Sequence, residues 1–154
     1  MAKRSGGILL FRRKAELEIF LVHPGGPFWA KKDLGAWSIP KGEYTEDEDP
    51  LDAARREFME ETGAAIDGEF LALGDVKQAG GKIVIAWAIE HDLDAGSIRS
   101  NTFEMEWPPR SGHRQKFPEV DRAGWFSPAA AMEKLIPVQA AFVARLQEKL
   151  ATSG

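Results

Sequence analysis

Cysteine is absent from the 154 residues. Its absence excludes disulfides, thiolate metal sites and a cysteine nucleophile, and is compatible with a cytoplasmic protein. Tyrosine occurs once, at Tyr44. Excess positive charge is also lacking: 20 Lys and Arg face 24 Asp and Glu, for a net charge of −4. Non-specific nucleic-acid binding, which needs a basic footprint, is therefore not expected. A small anionic substrate stays open, because bound cations reverse the local sign. No apolar stretch approaches a membrane span. After Met1-Ala2-Lys3-Arg4, the apolar run from Gly6 to Phe11 is short and soon recharged at Arg12 and Arg13. That is a poor signal peptide, so a cytoplasmic location is expected. Repeats and low-complexity segments are missing, and only the tail Ala151-Thr152-Ser153-Gly154 reads as disordered.

What is present suits one domain spanning 1–154, with 44% hydrophobic and 29% charged residues. Gly7–Phe11 and Leu17–Val22 read as strands joined at Lys14-Ala15-Glu16, followed by the breaker-rich "HPGGPF" at 23–28. Ala36–Ile39 reads as a short strand stopped by Pro40. Asp49 as N-cap, Pro50 at the first helical position and Gly63 just past the end delimit a helix whose buried stripe is Leu51, Ala54 and Phe58. Further strands are expected at Phe70–Val76, Ile83–Ile89, Thr102–Trp107 and Gly124–Phe126. Helices are expected at Pro128–Leu135 and Val138–Leu150. This order implies an α+β sandwich.

The segment "RREFMEETG", residues 55–63, raises a specific question. On a helix, Glu57, Glu60 and Glu61 share one face. Each close carboxylate pair costs about 1 kcal/mol in water and several times that when partly buried. A hard divalent cation such as Mg²⁺ removes that cost and keeps water sites for phosphates. The same run also fits a solvated face, with Arg55 and Arg56 pairing to the glutamates.

The wider window decides between them. "GEYTEDEDPLDAARREFMEETGA", Gly42 to Ala64, resembles the Nudix box G-x5-E-x7-R-E-U-x-E-E-x-G-U, where U is bulky and apolar. Gly42, Glu48, Arg56, Glu57, Phe58, Glu60, Glu61 and Gly63 match; Ala64 is smaller than usual. "WSIPKG" before the box is also common in that family.

The resemblance implies a Nudix fold: an α/β/α sandwich with a mixed central sheet and a loop-helix-loop motif. It implies Mg²⁺ or Mn²⁺ held by Glu57, Glu60 and Glu61, often with the Gly42 carbonyl, and an orienting ion pair between Arg56 and Glu48. It implies hydrolysis of a pyrophosphate bond by metal-activated water. Glu119 in "FPEVDRAGWF" stands where some members carry the proton acceptor, ahead of Asp121; in others that base is a box glutamate.

Lys41 is a candidate phosphate contact. Arg110, His113, Arg114 and Lys116 make a basic loop that either closes on a polyphosphate or is simply solvated. No histidine is expected to bind metal. Phe28, Trp29, Trp37 and Trp107 are candidates for stacking on a base, whereas Trp87 reads as core.

The layout is similar to the dinucleoside-polyphosphate and nucleoside-triphosphate branches, with a small nucleotide as partner. Yet the region "KQAGGKIV" lacks the tyrosine of many diadenosine-polyphosphate hydrolases and the proline of many ADP-ribose hydrolases. Alternatives are a hydrolase of another diphosphate such as a nucleotide sugar, a non-catalytic Nudix binding domain, which usually loses box glutamates, and a prenyl diphosphate isomerase, whose usual acid chemistry the lack of cysteine opposes.

Overall fold

A computed structural model describes residues 3–153. Met1 and Ala2 of the N-terminal reading and Gly154 of the tail reading lie outside the described residues. Strands β1 (Arg4–Arg13) and β2 (Leu17–Pro24) form an antiparallel pair. β3 (Lys41–Tyr44) pairs with the start of β1 and leads to helix α1 (Pro50–Thr62). β4 (Leu71–Lys77) and β5 (Ile83–Glu90) follow, then a separate hairpin of β6 (Thr102–Glu106) and β7 (Arg114–Pro118). β8 (Val120–Phe126), α2 (Pro128–Lys134) and α3 (Ala140–Ser153) close the chain.

The main sheet runs β4-β5-β1-β2-β8, with β3 beside β1. β1 and β5 are parallel and the other pairs antiparallel, so the sheet is mixed. The unbroken apolar run of β1 reflects burial on both faces. Ile8 and Leu10, with Phe20 and Val22, pack under Ala54 and Phe58 of α1. Leu9 and Phe11, with Ile19 and Leu21, pack on Ala131, Leu135, Phe142, Val143 and Leu146 of the C-terminal helices. This is the expected α/β/α sandwich. None of the helices among the described residues is long and apolar enough to cross a membrane.

The caps of α1 match their sequence signals. The Asp49 carboxylate accepts from the Asp52 N–H at 3.1 Å, and Gly63 takes a left-handed φ of 81°. Gly6 lets α1 sit close on β1, because a Cβ there would lie 2.8 Å from the Pro50 carbonyl.

Three expectations are corrected. Ala36–Ile39 is not a strand; Ser38 and Trp37 make only single bridges, to Val22 and Leu135. The strand forms beyond Pro40, at Lys41–Tyr44, where pairing to β1 outweighs a sequence without alternating apolar residues. Arg114–Lys116 belongs to a strand rather than a flexible loop, because "RQKFP" pairs with "TFEME", Phe117 opposite Phe103. Ala151–Ser153 are helical, not disordered, extending α3 by one more turn.

Candidate active site

Helix α1 carries the acidic face. Arg56 lies at its centre, donating to both Glu48 oxygens at 2.9 Å, to Glu57 at 2.7 Å and to Glu60 at 3.2 Å. The two-pronged bond to Glu48 holds Arg56 in its charged form and Glu48 below the usual carboxylate range. Gly42 faces the same cluster: a Cβ there would collide with the Glu57 carboxyl. Arg55 is not a plain solvated charge, since it donates to the Ile66 carbonyl, pairs with Asp67 and lies over Phe70.

Glu61, one turn beyond Glu57, faces the neighbouring residue of β3. Its carboxyl accepts from the Lys41 N–H at 3.2 Å. Burial pushes it up to about 8, with Glu57 and Glu119 adding to the rise against the Lys41 amide and charge. Burial also raises Glu57, opposed by its bond to Arg56, and raises Glu119, helped by Glu60. The Lys41 ammonium is lowered, first by burial and then by Lys82. Burial is the leading cause in each case, and neighbouring carboxylates add to the rise of Glu57, Glu61 and Glu119.

Glu119, almost sixty residues beyond the helix, is brought to this set by its backbone. Its N–H donates to Asn101 O at 2.8 Å and its carbonyl accepts from Gly25 N–H at 2.9 Å, while Asn101 N–H donates to Glu60 O at 2.7 Å. A cleft of about 180 Å³ is lined by Lys41, Glu61 and Glu119 and by an apolar wall that includes Val22, Trp29 and Ile136.

The remaining candidates divide. Trp29 borders the cleft. Phe28 is exposed and meets Trp107 edge to face at 5.3 Å, outside the cleft lining. Trp37 is buried between His23 and Phe126 and donates to Asp33, so it is core and offers no stacking face. Trp87 packs against the α1-side core. Arg114 pairs with Glu104 at 2.5 Å on the exposed hairpin, with Lys116 also opposite Glu104 in register; neither lines the cleft. Asp121 bonds His23 at 2.9 Å.

Two buried polar residues, His23 and Gln139, were missed by sequence reasoning. His23 ties Lys32 O to Asp121, and Gln139 ties the segment before Lys41 to α3. Each sits in an apolar stretch, and a lone polar residue there gives no signal of its partners.

Among the described residues, no three acidic or histidine side chains are already gathered to hold an ion. Arg56 instead supplies the charge between Glu57 and Glu60. The fit to Mg²⁺ lies in the donor chemistry: hard oxygens on one helix face, a cradle open only because Gly42 lacks a Cβ, and a proton retained by Glu61 that a cation would displace.

A model of the NUDIX domain matches residues 1–146. An RNA pyrophosphohydrolase of Bartonella henselae is 36% identical over 66 residues, 40% of this chain and 35% of that protein, so the chain spans about a third of this curated relative's length. In fold, the chain is similar to a C. elegans Ap4A hydrolase (TM-score 0.68, 18% identity, 96% of this chain and 98% of that one). It is likewise similar to the NUDIX domain of Shewanella oneidensis NrtR complexed with ADP ribose (TM-score 0.67, 16% identity, 97% and 89%). With a family model covering nearly the whole chain, Glu57, Glu60 and Glu61 in place on α1 and Glu48 just ahead of it, the protein belongs to the Nudix family.

Proposed function

We propose that this protein hydrolyses the pyrophosphate bond of a nucleoside diphosphate linked to another moiety, most favourably a dinucleoside polyphosphate or a nucleoside triphosphate. Mg²⁺ or Mn²⁺ is the cofactor, and the cytoplasm the compartment. The observation that carries the proposal is the meeting of Lys41, Glu61 and Glu119 in one cleft beside Glu57 and Glu60. Names of similar proteins, an Ap4A hydrolase and an RNA pyrophosphohydrolase, support the same class of bond.

Glu57, Glu60 and Glu61, with the Gly42 carbonyl, would hold the metal, which when bound neutralises phosphate charge and lowers the pKa of water. The chain's own groups do the rest. Lys41 faces the phosphates. Glu119, raised by burial and by Glu60, accepts the proton of the attacking water. Arg56, fixed by Glu48, orients Glu57 and Glu60. Trp29 gives the base an apolar face.

The test is a panel run with Mg²⁺ in ¹⁸O-water, comprising dinucleoside polyphosphates, nucleoside triphosphates, ADP-ribose, nucleotide sugars and an RNA 5′-triphosphate. Mass spectrometry then shows the preferred substrate and the phosphorus attacked. Turnover of a dinucleoside polyphosphate or nucleoside triphosphate is expected to dominate. Binding without turnover of any diphosphate would overturn the proposal.

A further inference from the structure

Lys41 and Gly42 reach the acidic helix from a stretch of chain with unusual anchoring. Ile39 N–H donates to Gln139 Oε1 at 3.0 Å, Pro40 O accepts from Ile8 N–H at 3.0 Å, and Lys41 N–H donates to Glu61 at 3.2 Å. Three consecutive residues are thus pinned to the C-terminal layer, the sheet and α1 in turn. Pro40 has no N–H, so Ile39 is the last backbone donor before Lys41.

Gln139 is fully buried at the end of the 3₁₀ turn Pro137–Gln139 that enters α3. Its carboxamide is fully used: the oxygen faces Ile39 N–H, and the nitrogen donates to Ser38 Oγ at 3.1 Å and Gln78 Oε1 at 3.0 Å. Because a backbone N–H can only donate, the Ile39 bond fixes which end of the amide is oxygen. A buried amide with its polar atoms satisfied is a rigid anchor, and removing its oxygen leaves an unpaired N–H beside the site.

We propose that Gln139 is a positioning residue for the reaction, setting the placement of Lys41 and Gly42 over the glutamates through the Ile39 amide. The inference rests on the function proposed above. It assigns a role to a residue of the turn that enters α3, in the layer opposite the acidic helix.

The experiment compares Gln139→Met, Gln139→Glu and, as a control for lost core packing in the adjoining α3, Val143→Ala. Met keeps the length and burial but removes the acceptor; Glu keeps an acceptor for Ile39 N–H. Amide hydrogen exchange at Ile39 and Lys41, affinity for Mn²⁺ alone by calorimetry, and kcat and KM on the preferred substrate are measured where each variant is folded. Gln139→Met is expected to speed exchange at both amides beyond Val143→Ala. It should weaken Mn²⁺ binding by about 10- to 100-fold and lower kcat more than it raises KM. Gln139→Glu is expected to stay within about 3-fold of the parent in Mn²⁺ affinity.

Parent-like Mn²⁺ affinity and amide protection in Gln139→Met overturn the proposal, as does a Glu variant as weak as the Met one. If Gln139→Met does not fold, Gln139→Glu decides: parent-like Mn²⁺ affinity with Ile39 still protected supports the proposal, and weakened Mn²⁺ binding with Ile39 still protected overturns it. If the parent itself binds no Mn²⁺, the metal reading falls, and exchange at Ile39 and Lys41 still judges Gln139.

Discussion

At the scale of residues, identical side chains in one run acquire different chemistry. Glu60 shares Arg56 with Glu57, whereas Glu61 is buried against the Lys41 amide and holds its proton to about 8. Glu60→Gln should keep the fold and lower kcat on the order of a hundredfold; near-parent turnover at low Mg²⁺ would remove it from the metal site. Glu119→Gln should cut kcat by about 100-fold with a smaller rise in KM, and an unchanged pH–rate profile would count against it as the base.

Glu61 also sets a stability prediction. Its folded value is raised from 4.5 to about 8, so across that window the folded state holds a proton that the unfolded chain has lost. Without metal, stability should therefore fall as pH rises from about 4.5 to about 8, by roughly a few kcal/mol. Glu57 and Glu119 shift in the same direction. Glu61→Gln should flatten the slope and raise the metal-free melting temperature at pH 8 while abolishing activity. Thermal melts in chelator across this range check it; a parent Tm that does not fall with pH would refute it.

Elements show how the sheet edge is managed. β4 is an edge strand, bulged near Gly74, whose φ of 77° suits glycine. Arg145 on α3 reaches over it and donates to Leu73 O at 3.0 Å and Asp75 O at 2.8 Å. These bonds occupy carbonyls that another strand would otherwise pair with. Arg145→Leu should cost about 1 kcal/mol and increase concentration-dependent association in sedimentation velocity. A variant as stable and as weakly associating as the parent would show that the bulge alone protects the edge.

For the molecule as a whole, what was legible followed from locality. The helix from Pro50 to Thr62 was readable because its caps, apolar stripe and glutamates all lie within one short segment. The strands Ile8–Phe11 and Ile19–Val22 were readable because burial on both faces leaves a continuous apolar run. β3 was not, because "KGEY" owes its strand to β1 rather than to its own composition. Of the second hairpin, β6 was readable but β7 was not, because its charged start reads as loop although Phe117 pairs with Phe103.

The sequence by itself determined the family and the acidic helix, because a contiguous motif fixes its own geometry. Only the tertiary structure decided which aromatics line the cleft. Trp37 is consumed by the core and Trp29 is left at the cleft, since exposure depends on packing from distant elements. Tertiary structure also brought Glu119 to Glu60 and Gln139 to Ile39, the latter pair 100 residues apart. Such contacts are made by the folding of separate layers onto one sheet, and no local pattern encodes them.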